Sequence, residues 1–361
     1  MVTPVDEDGK LNTRSLELLL ARQYEAGCHG VYVRGQTGEE FQLPLAVRVG
    51  AVEVAVANTP AGRNVIAHVG AASTADAVRL ARHASQAGAH AVSSLPPGSG
   101  YSFAEVRAYY QALAAASSVP LLVYYFPEFS AAIRTAEEVF ELCSIPGVVG
   151  LKFTDFDLYR LSLIRRAGHV IFNGRDEVLA AGLLMGAHGG IGSFYNLVPE
   201  LFTAVYEHAA AGRWAEARAV QDRINDLIRA VLAFPMLAAI KRLLTWSGIG
   251  CGHPVPPRRA LTVDEEAALR AIRAVIEAVR PDVVCVELDE ARYRNLMDLG
   301  RWRSTNISQV IRDGRAMLLL SSLVMASFQR RIGNKLGVVP GAELLEGIRA
   351  AEAVGARLVL A

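Results

Sequence analysis

Lysine is scarce in this chain. Of the 37 basic residues, only Lys10, Lys152, Lys241 and Lys335 are lysines. Arginine stays protonated in proteins and cannot act as an amine nucleophile, whereas a buried lysine can lose its proton. Each lysine is therefore a candidate for amine chemistry, with a solvated surface lysine as the alternative.

Other absences exclude whole classes of protein. The four cysteines show no C-x-x-C spacing, so neither a zinc site nor a disulfide framework is indicated, and reduced thiols are typical of a cytoplasmic protein. The longest apolar run, residues 316–328, is shorter than the roughly 20 residues of a membrane span. The N-terminus lacks the pattern of a signal peptide. A net charge of +1 gives no electrostatic basis for a nucleic acid or membrane partner.

Short apolar runs alternate with amphipathic helical stretches over the first 200 residues. Such runs, bounded by helices, are typical of strands in a parallel sheet. Seven are visible, and a truncated eighth would be residues 1–3. The seven runs are residues 30–33, 64–69, 90–95, 120–126, 148–153, 170–173 and 189–193. The pattern predicts an α/β fold, a (β/α)₈ TIM barrel. An open doubly wound sheet is the alternative, but no G-x-G-x-x-G follows the first strand.

Two domains are predicted. Helical sequence, including residues 199–211 and 214–246, extends the barrel domain with C-terminal helices to residue 278. Residues 279–361 change in character. They begin with a strand-like run at 282–288 and finish with another at 356–360, which predicts an incomplete α/β segment.

Lys152 and Tyr124 are the candidate catalytic residues. Counting residues 1–3 as the first strand, Lys152 ends the sixth predicted strand and Tyr124 ends the fifth. Active sites of TIM barrels lie at the rim formed by the C-terminal ends of the strands. A lysine in an apolar site has a lowered pKa, so its neutral amine can attack a ketone and form an iminium. A neighbouring phenol can transfer protons. The alternatives are a Lys152–Asp155 ion pair and ordinary packing of Tyr124, with Tyr125 on the opposite face.

Three glycine-containing turns follow other strands. Residues 35–40 (GQTGEE) offer backbone amides and the Thr37 hydroxyl to a carboxylate. Residues 173–177 (NGRDE) and 189–196 (GGIGSFYN) offer carboxylates and Ser193 to the hydroxyls of a substrate. The alternatives are turn geometry for the glycines and helix capping for the carboxylates.

Taken in order, GQTGE, VYYFP, GLKFTD, NGRDE and GIGSFYN resemble the dihydrodipicolinate synthase/N-acetylneuraminate lyase family over residues 1–278. The resemblance implies a pyruvate-dependent class I aldolase, commonly a homotetramer, that needs no cofactor or metal. It implies that Lys152 is the Schiff-base lysine and Tyr124 the catalytic tyrosine. Thr37 would bind the pyruvate carboxylate, and Gln36 stands where the family has its first Ser or Thr.

Within the family the sequence is closer to the lyase branch. Phe129 stands where the synthase branch has an arginine for a substrate carboxylate. The resemblance implies sugar-binding roles for Thr154, Gly174, Asp176, Glu177, Gly192 and Ser193. The implied reaction cleaves N-acetylneuraminate, or a related 2-keto-3-deoxy sugar acid, to pyruvate and a sugar-derived aldehyde. A synthase-like condensing enzyme acting on another aldehyde is one alternative, and a non-catalytic truncated barrel fusion is another.

Residues 279–361 resemble part of the TraB-type pheromone-shutdown family. The segments that carry this resemblance are DVVCVELDEARY, FQRRIGNKLGVVPGAELL and AAEAVGARLVL. We expect neither metal binding nor protease activity from this segment. Glu287 and Asp289 are expected to cap a helix.

Overall fold

A computed structural model gives the fold. It describes residues 1–98 and 100–270, together with the backbone of two short strands, Val283–Val286 and Arg357–Leu360. The chain divides into two compact units, Met1–Thr262 and Val263–Ala361. Every predicted site residue lies in the first unit.

The first unit contains a seven-stranded parallel sheet in which each strand pairs with the next along the chain. The strands are β1 (Gly30–Val33), β2 (Asn64–His68), β3 (Ala91–Ser94), β4 (Leu121–Tyr125), β5 (Val148–Phe153), β6 (Val170–Asn173) and β7 (Gly189–Gly190). Consecutive parallel strands linked by helices form the TIM-barrel-like fold that the alternation predicted. The last strand is shorter than the predicted run at 189–193.

In the described residues of the first unit, one α-helix precedes β1 and nine more lie between and after the strands. They are α1 (Thr13–Glu25), α2 (Leu45–Ala57), α3 (Thr74–Gln86), α4 (Phe103–Ala116), α5 (Ala136–Cys143), α6 (Leu158–Arg166), α7 (Leu179–Leu184), α8 (Pro199–Ala210), α9 (Trp214–Val231) and α10 (Met236–Trp246). Capping boxes begin α4 and α5. The helical stretch predicted at 214–246 is two helices, because Pro235 lacks an N–H and caps the start of α10.

The predicted first strand, residues 1–3, does not form. The amino group of Met1 donates to the Tyr32 carbonyl at 2.7 Å, and the Val2 amide donates to Asn196 Oδ1 at 2.9 Å. These residues lie between β1 and β7, which do not pair with each other in the described part of the sheet. We call residues 1–3 and the facing edges of β1 and β7 the seam. Tyr124 and Lys152 are therefore on β4 and β5.

A cavity of about 230 Å³ lies at the seam. Its lining includes Met1, Val31, Phe172, Tyr195 and Tyr206. Neither Lys152 nor Tyr124 lines this cavity.

Side chains alternate across the sheet. Tyr32, Leu95 and Tyr124 form a small cluster with Ile66 and Phe126, while a much larger apolar cluster joins the other strand face to α3, α4 and α5. In a barrel, alternate residues of a strand face the interior and the surrounding helices. The small cluster therefore lies in the interior of the barrel.

In the second unit, residues 263–270 are helical, and β8 (Val283–Val286) pairs in parallel with β9 (Arg357–Leu360). The two predicted strand runs of the tail are thereby confirmed. The apolar run 316–328, Glu287 and Asp289 lie outside the described residues. Within the described part of the chain, no helix combines the length and apolarity that crossing a membrane requires.

Candidate active site

Tyr124 and Lys152 are direct register partners on β4 and β5. Because neighbouring parallel strands orient paired side chains to the same face, both point into the barrel. Tyr125 and Phe153, the next pair, face the other way and stack with ring centroids 5.1 Å apart. The prediction that Tyr124 and Tyr125 lie on opposite faces of the sheet is confirmed.

The Lys152 amine is enclosed by aromatic rings. The residue is 6% exposed, and its Nζ lies 3.6 Å from the Tyr124 ring centroid and 5.3 Å from that of Tyr32. Burial lowers the pKa of Lys152 to about 7, although the Asp176 and Glu40 carboxylates oppose this by favouring the ammonium. A substantial fraction of the amine is therefore neutral near neutral pH.

Asp155, the alternative partner of Lys152, makes other contacts. Its carboxylate accepts hydrogen bonds from the Tyr125 hydroxyl at 3.4 Å and from the Phe156 amide at 2.7 Å. Among the described residues, Lys152 forms no ion pair within 4.0 Å. The lysine is thus available for chemistry.

The Tyr124 phenol stays protonated at neutral pH. Burial raises its pKa above the ordinary value, the Glu40 carboxylate adds to the rise, and the nearby Thr154 hydroxyl opposes it. A protonated phenol beside the amine can donate a proton and later accept one.

Thr37 and Ser193, predicted to bind different parts of the substrate, meet directly. Their hydroxyls form a short hydrogen bond that joins the loop after β1 to the loop after β7. Gln36 lies in the same 3₁₀ turn as Thr37 and is half-buried. Thr37 and Gln36 therefore border the site on its β1 side, and Ser193 meets them from the loop after β7.

Asp176 holds the loop after β7 in place. Its Oδ2 accepts hydrogen bonds from the Ser193 and Phe194 amides, both at 2.8 Å. Burial raises the pKa of Asp176 to about 6, although these two hydrogen bonds favour the carboxylate. A Cβ on Gly192 would lie 1.4 Å from Asp176 Oδ1, so glycine is required there. One oxygen of this predicted sugar-binding residue is thus occupied by backbone.

The other predicted sugar-binding residues lie at the ends of β5 and β6. Thr154 is 6% exposed, and its Oγ1 would be 2.0 Å from a Cβ on Gly174, which explains the glycine. Glu177 is half-buried, and its carbonyl accepts a hydrogen bond from Asn225 Nδ2 at 3.1 Å. Its carboxylate contributes to raising the pKa of Asp176.

Phenylalanines lie beside this end of the barrel. Phe129, at the position of the synthase-branch arginine, stacks on Phe41 at 5.6 Å and on Phe126 at 6.5 Å. Arg175 also lies against Phe126, with its guanidinium carbon 5.4 Å from the ring centroid. An apolar surface therefore stands where a synthase-type arginine would be.

Sequence reasoning missed four buried polar residues on the β1–β2 side, namely Arg34, Glu40, Arg48 and His68, each at most 3% exposed. A signal for two of them exists, because Arg34 and Glu40 flank the GQTGE turn directly after an apolar strand. Burial raises the pKa of Glu40 to about 7 and lowers that of His68.

Comparisons with known proteins show which proteins the chain is similar to. The chain is 38% identical over 285 residues to the N-acetylneuraminate lyase of Rhizobium meliloti (strain 1021), covering 78% of this chain and 93% of that protein. The wild-type sialic acid aldolase of Ruminococcus gnavus matches with a TM-score of 0.72 and 28% identity, covering 75% of this chain and 92% of that one.

The structure of CdNal from Clostridium difficile in complex with mannosamine also matches, with a TM-score of 0.72 and 27% identity, over 75% of this chain and 94% of that one. The model of the dihydrodipicolinate synthetase family matches residues 1–278. The chain therefore belongs to the dihydrodipicolinate synthetase family.

Proposed function

We propose that this chain is a Schiff-base aldolase that cleaves N-acetylneuraminate, or a related 2-keto-3-deoxy sugar acid, to pyruvate and a sugar-derived aldehyde. The observation that carries the proposal is the buried Lys152 amine, with a pKa of about 7, lying over the ring of its register partner Tyr124. The similar proteins named as lyase and aldolase support the same chemistry.

Lys152 forms the covalent bond to the substrate. The neutral Nζ attacks the C2 ketone, and the resulting carbinolamine loses water to give an iminium. Tyr124 donates the proton that leaves with the hydroxyl. Burial serves this step, because a hydrated ammonium has no lone pair for the attack.

The iminium then accepts electrons from the breaking C3–C4 bond. The C4 hydroxyl gives its proton to the Tyr124 phenolate, the aldehyde departs, and an enamine of pyruvate remains on Lys152. Protonation of the enamine at C3 and addition of water to the iminium release pyruvate and restore the amine. The reverse sequence joins pyruvate to an aldehyde.

Substrate contacts follow from the positions around this pair. Thr37 and Gln36 border the site on the β1 side. Six residues at the ends of β5 to β7 would bind the sugar chain, namely Ser193, Gly192, Thr154, Gly174, Asp176 and Glu177. Because a hydroxyl has one donor and two acceptor sites, the Thr37–Ser193 hydrogen bond leaves capacity on both residues for substrate.

Borohydride reduction in the presence of pyruvate tests the proposal. We expect an irreversible mass increase on the peptide containing Lys152, and none in Lys152→Arg. Lys10→Arg is the matched control, since the Lys10 side chain is 76% exposed and should leave labelling unchanged. An unlabelled Lys152 in the wild type would end the proposal.

The proposal also covers the oligomeric state and the domain boundaries of the chain. We infer a cytoplasmic homotetramer whose catalytic domain is residues 1–278, followed by a separate segment at 279–361. The family match over residues 1–278 supports the domain boundary. Sedimentation equilibrium of the full chain measures the assembly, and a monomer at assay concentration would contradict it.

A further inference from the structure

The seam cavity has an aromatic wall. Among the described residues, five aromatic ones line it, namely Tyr32, Phe172, Tyr195, Phe202 and Tyr206. The rings of Tyr195 and Phe202 stack with their centroids 3.8 Å apart. Aromatic rings make stacked and edge-to-face contacts with another ring, which stabilise more than the buried area alone. Such a wall favours a ligand that itself contains a ring.

The wall also carries little formal charge. Among the described residues that line the cavity, none is an aspartate, a glutamate, a lysine or an arginine. The Met1 amino group donates to the Tyr32 carbonyl at 2.7 Å, and burial, aided by the Lys152 charge, lowers its pKa to about 5. A charged ligand would lose its hydration in such a wall without meeting a countercharge. The cavity therefore favours an uncharged molecule.

A hydrogen-bond donor in the wall has no acceptor. The Tyr195 carbonyl accepts a hydrogen bond from Gln23 Nε2 at 3.0 Å, but the Tyr195 hydroxyl makes none within the described part of the chain. A Cβ on Gly190 would collide with this hydroxyl, so the hydroxyl lies against β7 at the seam. Burial raises the pKa of Tyr195, and the phenol therefore keeps its proton at neutral pH. The wall thus offers a donor to an oxygen atom of a ligand.

The size and the entrance of the cavity fit a small ligand. An apolar cavity of about 150 Å³ can hold one benzene molecule, so the 230 Å³ at the seam has room for a ring with a substituent. His29, Asn64 and His188 line the cavity and are exposed, and they lie at the starts of β1, β2 and β7. Tyr124 and Lys152 lie toward the opposite ends of their strands. The cavity therefore meets solvent at the other end of the barrel from the proposed catalytic pair.

The cavity and the Lys152 amine are adjacent but distinct. Phe172 lines the cavity and is the register partner of Lys152, while the Tyr32 ring lies 5.3 Å from Lys152 Nζ. Lys152 and Tyr124 themselves do not line the cavity. A ligand held at the seam would therefore leave the amine free, and both sites can be occupied together.

We propose that the seam cavity is a second ligand site, which takes one small uncharged aromatic molecule carrying a hydroxyl or carbonyl oxygen. The ring of the ligand packs against the aromatic wall, and its oxygen accepts a hydrogen bond from the Tyr195 hydroxyl. The site uses neither Lys152 nor Tyr124, so it can be tested apart from the aldolase reaction.

Calorimetric titration of the full chain with phenol tests the proposal. We expect one site, with a dissociation constant in the millimolar range or below. Cyclohexanol keeps the hydroxyl without the aromatic ring and should bind about 2- to 10-fold more weakly. Benzoate keeps the ring but carries a charge and should bind at least about 10-fold more weakly. Phenol that does not bind, or that binds no better than either analogue, overturns the proposal.

The Tyr195→Phe variant tests the hydrogen bond, because it removes the hydroxyl and keeps the ring that stacks on Phe202. The dissociation constant of phenol should rise about 3- to 10-fold, as for one lost neutral hydrogen bond, while that of benzene should stay unchanged. Tyr159→Phe is the matched control, since Tyr159 is 71% exposed on α6 and its variant should bind both ligands like the wild type. Unchanged phenol binding by Tyr195→Phe, or an equal loss of phenol and benzene, overturns the assignment.

Hydrogen exchange locates the bound ligand without any substitution. Phenol should slow amide exchange in residues 28–33 and 189–196, which contain much of the cavity wall, and should leave exchange in β4 and β5 unchanged. Protection confined to β4 and β5 would place phenol beside Lys152 and overturn the proposal.

Pyruvate separates this proposal from the aldolase function. Saturating pyruvate should not displace phenol, because the described wall of the cavity does not include the amine. Mutual exclusion of the two ligands would mean that phenol occupies the amine site, and the cavity assignment would then be wrong. If phenol binds at the seam while borohydride and pyruvate leave Lys152 unlabelled, the aldolase proposal fails and the second ligand site stands.

Discussion

The β4–β5 wall and the β1 side of the barrel differ in regularity. β4 and β5 pair in parallel with one register shift between Leu121 and Leu122, beyond which the register is continuous through Tyr124 with Lys152. On the β1 side, residues 1–3 substitute for a strand, a cavity opens at the seam, and two non-glycine residues, Arg34 and Glu39, have positive φ.

The difference separates two tasks. Regular pairing fixes the amine and the phenol relative to each other, which proton transfer requires. The irregular β1 side gathers buried charges, including Arg34 and the Glu39–Lys241 ion pair. We therefore expect substitutions in the β4–β5 wall to change the chemistry, and substitutions on the β1 side to change binding or stability.

Tyr124→Phe should give the largest change in the wall. Loss of the proton shuttle should lower kcat by a factor of about 10² to 10⁴, while borohydride trapping at Lys152 continues more slowly. Circular dichroism should show an unchanged fold. Tyr125→Phe is the matched control, because its hydroxyl contacts Asp155 and Arg160 on the outer face. Equal losses in the two variants would contradict a specific role for Tyr124.

Lys241→Met should give the largest change in stability on the β1 side. Lys241 Nζ lies 2.6 Å from Glu39 Oε2, both side chains are fully buried, and Nζ also donates to the His253 carbonyl. Removing the lysine leaves an uncompensated carboxylate, which should cost about 3–5 kcal/mol in the free energy of unfolding, measured with urea.

Its control is the double variant Lys241→Met/Glu39→Gln. Neutralising both partners removes the stranded charge, so the double variant should be more stable than Lys241→Met alone. A double variant as unstable as the single one would mean that packing, rather than charge, is responsible for the loss.

The pH dependence of imine formation tests the electrostatics of the wall. With the pKa of Lys152 lowered to about 7, the amine is protonated below that pH and neutral above it. The trapping rate at low pyruvate should rise about tenfold per pH unit below the pKa and level off above it. Asp176→Asn removes a carboxylate that favours the ammonium, so the midpoint should move to lower pH. A midpoint near the ordinary pKa of lysine would refute the buried amine.

Much of the β4–β5 wall could be predicted from sequence. Apolar runs of strand length revealed both strands, and alternation separated Tyr124 from Tyr125. The β1 side could not be predicted in the same way. The Thr37–Ser193 bond joins residues 156 positions apart, and the Asp176 contacts with two amides depend on how loops meet. Local patterns also could not reveal that Arg34 is buried without a hydrogen-bond partner among the described residues.

Two valine substitutions, which have the smallest expected effects, compare the packing of the β1 side with that of the β4–β5 wall. Val31 on β1 lines the seam cavity and is 5% exposed, whereas Val123 on β4 is fully buried in the large apolar cluster. Val31→Ile adds a methylene where space exists, so it should stabilise the protein by about 0.8 kcal/mol. Val123→Ile should destabilise it by about 1–3 kcal/mol through overpacking. Urea unfolding of both variants measures the difference. If both lose stability equally, the seam is as tightly packed as the wall, and the contrast between the two regions concerns charge alone.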